Sequence, residues 1–247
     1  MNWKWNIWML AVIAGVVLSV GAAGATGPDE EGWRVELTPY AWFTNIDGTV
    51  TVGENKADFE ASFSDLVDKV DVSAAFMTVV SYGPWVGFGQ MDYFALSQDF
   101  SEAPGGSLES DMLLLSVAGG YRFHGLVKGS SMELLGGVRY LWSDNTVEVN
   151  GMGSDQDTSE LIDAIVMLRP SLVLPFISER LRLNPTMSIG AGDSDLVWEV
   201  QPELQYQITR SFAARAGYRR LHYEFADGDA DVDVGFQGFI VGVGVTR

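Results

Sequence analysis

The chain has 247 residues, no cysteine, and a formal charge of −18, from 33 acidic and 15 basic residues. The lack of cysteine excludes disulfides, thiolate metal centres and a cysteine-linked lipid anchor, and so acidic a surface is a poor partner for nucleic acid. The length allows one large β domain or two small ones, and hydrophobic residues are 47% of the chain, so their distribution along the sequence carries the information.

The N-terminus reads as a targeting segment. Lys4 precedes an apolar run from Ile7 to Val20, and Ala23-Gly24-Ala25 forms a small-x-small cleavage site. Residues 1–25 are expected to be a signal peptide and residues 26–247 the mature domain. An uncleaved anchor is the alternative, but the run falls short of the roughly 20 residues that a membrane helix needs. Without Lys4 the balance is 14 basic minus 33 acidic residues, or −19.

From Trp33 onward the chain alternates apolar and polar residues with period two, the mark of strands with two unlike faces. The first strand runs Trp33 to Phe43, with Val35, Leu37 and Ala41 on one face and Arg34, Glu36 and Thr38 on the other. A long excursion, Thr44 to Val70, follows, with a short hairpin around Gly48 and Gly53. Phe63, Leu66, Val67 and Val70 then recur at helical spacing behind Ser62 as N-cap, which predicts a short helix in this first outer loop.

The second strand is Val72 to Tyr82, and Gly83-Pro84 turns the chain into the third, Trp85 to Leu96, which places Gln90 and Asp92 on its polar face. The fourth, Asp111 to Phe123, carries Arg122 on that face, and the fifth, Met132 to Trp142, carries Glu133 and Arg139. The sixth, Leu161 to Leu174, carries Asp163 and Arg169, and the seventh, Leu181 to Ala191, carries Arg182. The eighth, Leu196 to Ile208, is the clearest. Leu196, Trp198, Val200, Pro202, Leu204, Tyr206 and Ile208 oppose Glu199, Gln201, Glu203, Gln205 and Gln207. The ninth, Phe212 to Phe225, holds Arg215 and changes phase near Arg219-Arg220, which suggests a β-bulge. The tenth, Val234 to Val245, sets Phe239, Val241, Val243 and Val245 against Gly238, Gly242 and Gly244.

Ten strands alternate between short turns and long connections. Five long segments, 44–71, 99–111, 144–163, 193–199 and 224–233, hold 7, 4, 6, 3 and 5 acidic residues, or 25 of the 33, against Lys56 and Lys69 alone. One rim is therefore acidic. A soluble sandwich or lipocalin-like barrel would bury the apolar face, and three features favour the opposite. Arg outnumbers Lys eleven to four, which suits partly buried pairing better than a solvated surface. The polar face balances six Arg (34, 122, 139, 169, 182 and 215) against Glu36, Asp92, Glu133, Asp163, Glu199 and Glu203, as mutually neutralising buried ions require. Aromatic residues gather at the strand ends as an interfacial girdle. The expected fold is all-β, a closed antiparallel transmembrane β-barrel of about ten strands, its lumen filled by that charge network. Pro39, Pro170, Pro185 and Pro202 fall inside strands, where each deletes a ladder bond.

Tyr40 to Val52, Phe63-Ser-Asp-Leu-Val67, Asp163-Ala-Ile-Val-Met-Leu-Arg169 and Gly217-Tyr-Arg-Arg-Leu-His-Tyr223 resemble an uncharacterised family of small Gram-negative outer-membrane β-barrel proteins, related in style to the membrane domain of outer-membrane protein A. The resemblance spans residues 33 to 247. It implies a barrel in the outer membrane and brings no catalytic residues. The chain departs from such barrels in ending Val245-Thr246-Arg247 rather than in the aromatic residue read by the barrel assembly machinery.

Candidate chemistry is sparse. Asp227, Asp229, Asp231 and Asp233 recur every second residue and could present a row of carboxylates to Ca²⁺ or Mg²⁺. The sixth-position Gly and distal Glu of a Ca²⁺ loop are missing, so a solvated acidic loop is the plainer reading. His222 and Glu224 lie near the acidic rim, where a hydrolase would need a carboxylate-oriented His beside an activated water; no Asp-x-His pair is present, and His124 belongs to the opposite end. The expectation is a non-enzymatic barrel with a structural or surface-interaction role, meeting outer-membrane lipid and lipopolysaccharide. No cofactor is expected beyond loosely bound divalent cations bridging lipopolysaccharide phosphates. A small-solute or cation channel is the alternative, and a rim-sited hydrolase comes third.

Overall fold

The computed structural model describes residues 32–53, 55–61, 70–100, 106–124, 129–149, 153–228 and 230–247. The signal segment and the helix expected over 63–70 lie outside the described residues, apart from Val70, which opens a strand. The described residues form thirteen strand segments: β1 (Trp33–Val52), β2 (Asn55–Ala61), β3 (Val70–Tyr82), β4 (Trp85–Phe100), β5 (Gly106–His124), β6 (Ser131–Val149), β7 (Gly153–Val173), β8 (Leu181–Leu183), β9 (Thr186–Gly192), β10 (Leu196–Gln201), β11 (Glu203–Gln207), β12 (Phe212–Asp227) and β13 (Ala230–Thr246).

Ten staves make one closed barrel. β8 and β9 are a single stave interrupted at Asn184-Pro185, β10 and β11 another interrupted at Pro202, and β2 folds back beside the upper part of β1. Every pairing is antiparallel. The wall closes where β1 meets β13, from Glu36 opposite Thr246 up to Val52 opposite Ala230. Closure removes the sheet edges that could not face lipid.

The strands outrun their sequence signal. The segments expected as long loops are largely hairpin: β7 has 21 residues and β5 and β6 have 19 each, whereas a tilted strand crosses a membrane in about 9–11. The outer parts of these staves carry polar residues on both faces, as in Ser154 to Glu160, so no period-two contrast marks them. The hairpin near Gly53 is β1–β2; Gly53 takes the positive φ of its turn, while Gly48 lies mid-strand.

The anticipated bulge at Arg219-Arg220 is absent. β12 pairs with β13 in one unbroken register from Phe212 opposite Val245 to Asp227 opposite Ala230. Arg219, Leu221 and Tyr223 all point inward, and Arg220 is exposed. The apparent phase change arises because two inward residues above Arg219 are apolar.

Three of the four in-strand prolines have a geometric account; Pro39 stands apart, opposite Phe76. Leu168 faces Met187 and Leu172 faces Leu183, which sets Pro170 opposite Pro185. Gln201 faces Thr186 and Leu204 faces Leu183, which sets Pro185 opposite Pro202. Three prolines thus lie in one row across three adjacent staves. Asn184 donates its N–H to the Glu203 carbonyl at 2.8 Å, so the backbone at Pro185 turns the other way, toward Pro170. Two residues without N–H groups share one rung, and the lost bonds are confined there. On the far side the Pro202 carbonyl still accepts from Tyr218 N–H at 3.1 Å.

The wall is apolar outward. Val117, Val138, Ile162, Val166, Ile189, Val241 and Val243 are exposed on its exterior, which is the surface a lipid solvent requires. The end with the short turns carries an aromatic ring of Trp33, Tyr82, Trp85, Tyr121 and Phe123, with Trp33 against Tyr82 and Trp85 edge-on to Tyr121. Tyr218 packs edge-on to Phe239 higher on the wall. Such girdles mark the two membrane interfaces.

Candidate functional site

The interior holds the chemistry. Arg139 on β6, Glu199 on β10, Arg219 on β12 and Asp92 on β4 meet across the lumen, each 0–1% exposed. Glu199 Oε2 accepts from Arg139 Nη2 at 2.5 Å and from Arg219 Nη2 at 3.2 Å. Arg219 Nη1 reaches Asp92 Oδ2 at 2.6 Å, and Tyr40 donates its hydroxyl to Asp92 Oδ1 at 2.6 Å. Gln90 donates to the Tyr40 oxygen at 2.8 Å, and Arg139 Nε donates to Ser116 Oγ at 3.0 Å. The Arg219 guanidinium also lies over the Trp42 ring, 4.3 Å from its centroid. Six staves are thereby tied through charge-assisted hydrogen bonds.

A second cluster sits toward the short-turn end. Arg215 bridges Glu36 and Glu203, the latter at 2.6 Å. Glu133 is held from both sides by Arg122 at 2.7 Å and Arg169 at 2.8 Å. Three of the twelve charged residues singled out from the sequence have other surroundings. Asp163, fully buried, accepts from Ser194 N–H at 2.8 Å and Ser194 hydroxyl at 2.9 Å, fixing the turn between β9 and β10. Arg182 donates to the Gly129 carbonyl at 2.9 Å and to Ser171 Oγ. Arg34 stands opposite Ser81 at the barrel end. Sequence reading placed Gln90 on the inward face and missed Arg219 and Tyr40; unbroken alternation through 212–225 would have placed Arg219 inside.

The lumen is not filled by charge alone. Met77, Phe88, Leu135, Met167, Leu221 and Tyr223 form part of a buried apolar cluster between the ion pairs. Inward Gly lets the staves approach closely: a Cβ at Gly137 would run into the Val117 carbonyl and Ala118.

At the acidic end, Asp231 and Asp233 lie exposed on β13. Asp227 ends β12, and Asp229 lies outside the described residues. His222 faces outward on β12 against Trp198, ring centroids 5.3 Å apart. Nearby, the Asp58 carboxyl is held below the usual carboxylate range by the Thr49 hydroxyl, 2.7 Å away, and by Lys56.

No family model matches the sequence, and no curated protein matches it. Solved structures do. Outer membrane protease OmpT from Escherichia coli is 8% identical with a TM-score of 0.50, over 92% of this chain and 99% of that one. The translocator domain of autotransporter NalP from Neisseria meningitidis is 14% identical, TM-score 0.44, over 96% and 95%. Ail, the attachment invasion locus protein of Yersinia pestis, is 14% identical, TM-score 0.37, over 88% and 100%. The fold is that of the Gram-negative outer-membrane β-barrels, and the apolar exterior with its aromatic girdles places this chain in an outer membrane.

Proposed function

We propose that this protein is a non-enzymatic outer-membrane barrel with a sealed interior, acting as a structural or surface-interaction element through its acidic outer hairpins. One observation carries the reading. Asp92, Arg139, Glu199 and Arg219 are 0–1% exposed although all four point into the lumen. A water-filled bore would leave such side chains accessible. The buried apolar residues beside them close the remaining section.

A cation channel is the second reading, and the acidic outer end favours it, since a mouth of one sign concentrates counter-ions. Liposome swelling separates the two. Proteoliposomes in isotonic arabinose should keep their volume at the rate of protein-free vesicles. Swelling that scales with protein content would establish a pore and defeat the sealed-barrel reading.

A further inference from the structure

We propose that His222, Glu224 and Asp233 form a binding site for one divalent metal ion of the zinc class, on the outer wall at the acidic end of the barrel.

The site follows from register. Glu224 on β12 stands directly opposite Asp233 on β13, and His222 lies two residues along the same outward face, opposite Gly235. Like charges directly opposite on a sheet repel, so this pair is an arrangement that a cation would relieve. His222 Nε2 lies 3.3 Å from Glu224 Oε1 and 3.6 Å from Asp233 Oδ1, and one ligand atom from each residue lies within 4.8 Å of the others. A tetrahedral zinc ion with bonds of about 2.0–2.2 Å has ligand–ligand edges of roughly 3.3–3.6 Å. Both edges from His222 Nε2 therefore already stand at ligation spacing.

The imidazole distinguishes this group from a merely acidic rim. Its ring is held against Trp198 and is only 12% exposed. Its Nδ1 is buried with no hydrogen-bond partner. Both carboxylates crowd Nε2 and the remaining nitrogen is buried away from any substrate proton, so the His is arranged poorly as a general base. A shared ion on Nε2 fits instead. One imidazole with two carboxylates suits a borderline metal, whereas Ca²⁺ takes six to eight oxygens. A cleft of about 370 Å³, lined by Thr49, Lys56, Asp195 and Asp231 as well as Glu224 and Asp233, adjoins the two carboxylates.

The test uses the full barrel, refolded in detergent and stripped of metal. Calorimetric titration with Zn²⁺ should show one ion per chain, bound at least tenfold more tightly than Ca²⁺ or Mg²⁺. His222→Ala and Asp233→Asn should each weaken binding at least tenfold while leaving heat-shifted gel mobility unchanged. The wild-type chain gives a second readout independent of any variant. With ¹⁵N-labelled histidine, Zn²⁺ should move the His222 resonances and leave those of His124, at the opposite end, in place. No Zn²⁺ binding, unchanged affinity in both variants, equal binding of Ca²⁺ and Mg²⁺, or His resonances that shift together or not at all would each overturn the proposal.

Discussion

Arg219 Nη1 lies 2.6 Å from Asp92 Oδ2 across the barrel, although 127 positions separate the two residues in the chain. The contact joins β12 to β4 with both side chains 1% exposed, and Glu199 shares the same guanidinium at 3.2 Å. Removing one partner of a buried pair strands the other charge and costs about 3–5 kcal/mol. Arg219→Met should therefore lower unfolding stability by that amount, measured by urea titration in lipid vesicles. The double variant Arg219→Met/Asp92→Leu should lose less than the sum of its single variants, because the two sites are coupled. A loss under about 1 kcal/mol for Arg219→Met would show that the pair is solvated and the network is not an interior one.

Close approach of the staves makes a second prediction. Gly137 has the Val117 carbonyl and Ala118 where a side chain would begin. Gly137→Val must push β5 and β6 apart, an overpacking cost of about 1–3 kcal/mol or more. The neighbouring Val138→Ala, on the lipid face, opens no interior cavity and should cost less. Equal urea midpoints for the two variants would contradict the inward placement of Gly137.

Prolines give the third. Pro170 and Pro185 already share a rung without donors, so Pro185→Ala restores at most one ladder bond. That gain, about 1 kcal/mol, is offset by about 0.4–1 kcal/mol of added chain entropy in the unfolded state, and the variant should match wild type within about 1 kcal/mol. Leu183→Pro deletes a bond on an intact rung and should cost about 3 kcal/mol, in line with proline in a paired backbone. A strongly destabilised Pro185→Ala would mean that the row serves a purpose beyond confining a defect.

How much of this was legible depends on contrast between the two faces of each strand. In Leu196 to Gln207 every apolar residue after Val197 points out and Glu199, Gln201, Glu203 and Gln205 are buried; alternation sorted the two faces, and the excess of Arg over Lys, the balanced charges and the aromatic strand ends decided which one meets lipid. Contrast fails in two places. Above the membrane both faces are solvated, and strand reads as loop, as in 144–149 and 153–160. Inside the barrel an apolar cluster shares the polar face, so Leu221 and Tyr223 looked outward and hid Arg219. Pairing partners were out of reach for a different reason. Arg139 stands opposite Asp163 in register yet bonds Glu199 across the lumen, and Asp163 is spent on Ser194. Contacts across a bore depend on stave order, tilt and side-chain length, which periodicity does not encode. The His222, Glu224 and Asp233 group was hidden likewise, because it needs the β12–β13 register.

Single-channel recording in a planar bilayer tests the sealed interior most directly. With the purified barrel inserted and 1 M KCl on both sides, the account predicts a current at the level of the bare membrane across a voltage ramp. Arg139→Ala with Glu199→Ala, which takes both partners from the central layer, should add discrete conductance steps to that baseline. Steady ohmic steps from the wild-type protein, unchanged in the double variant, would contradict the sealed interior.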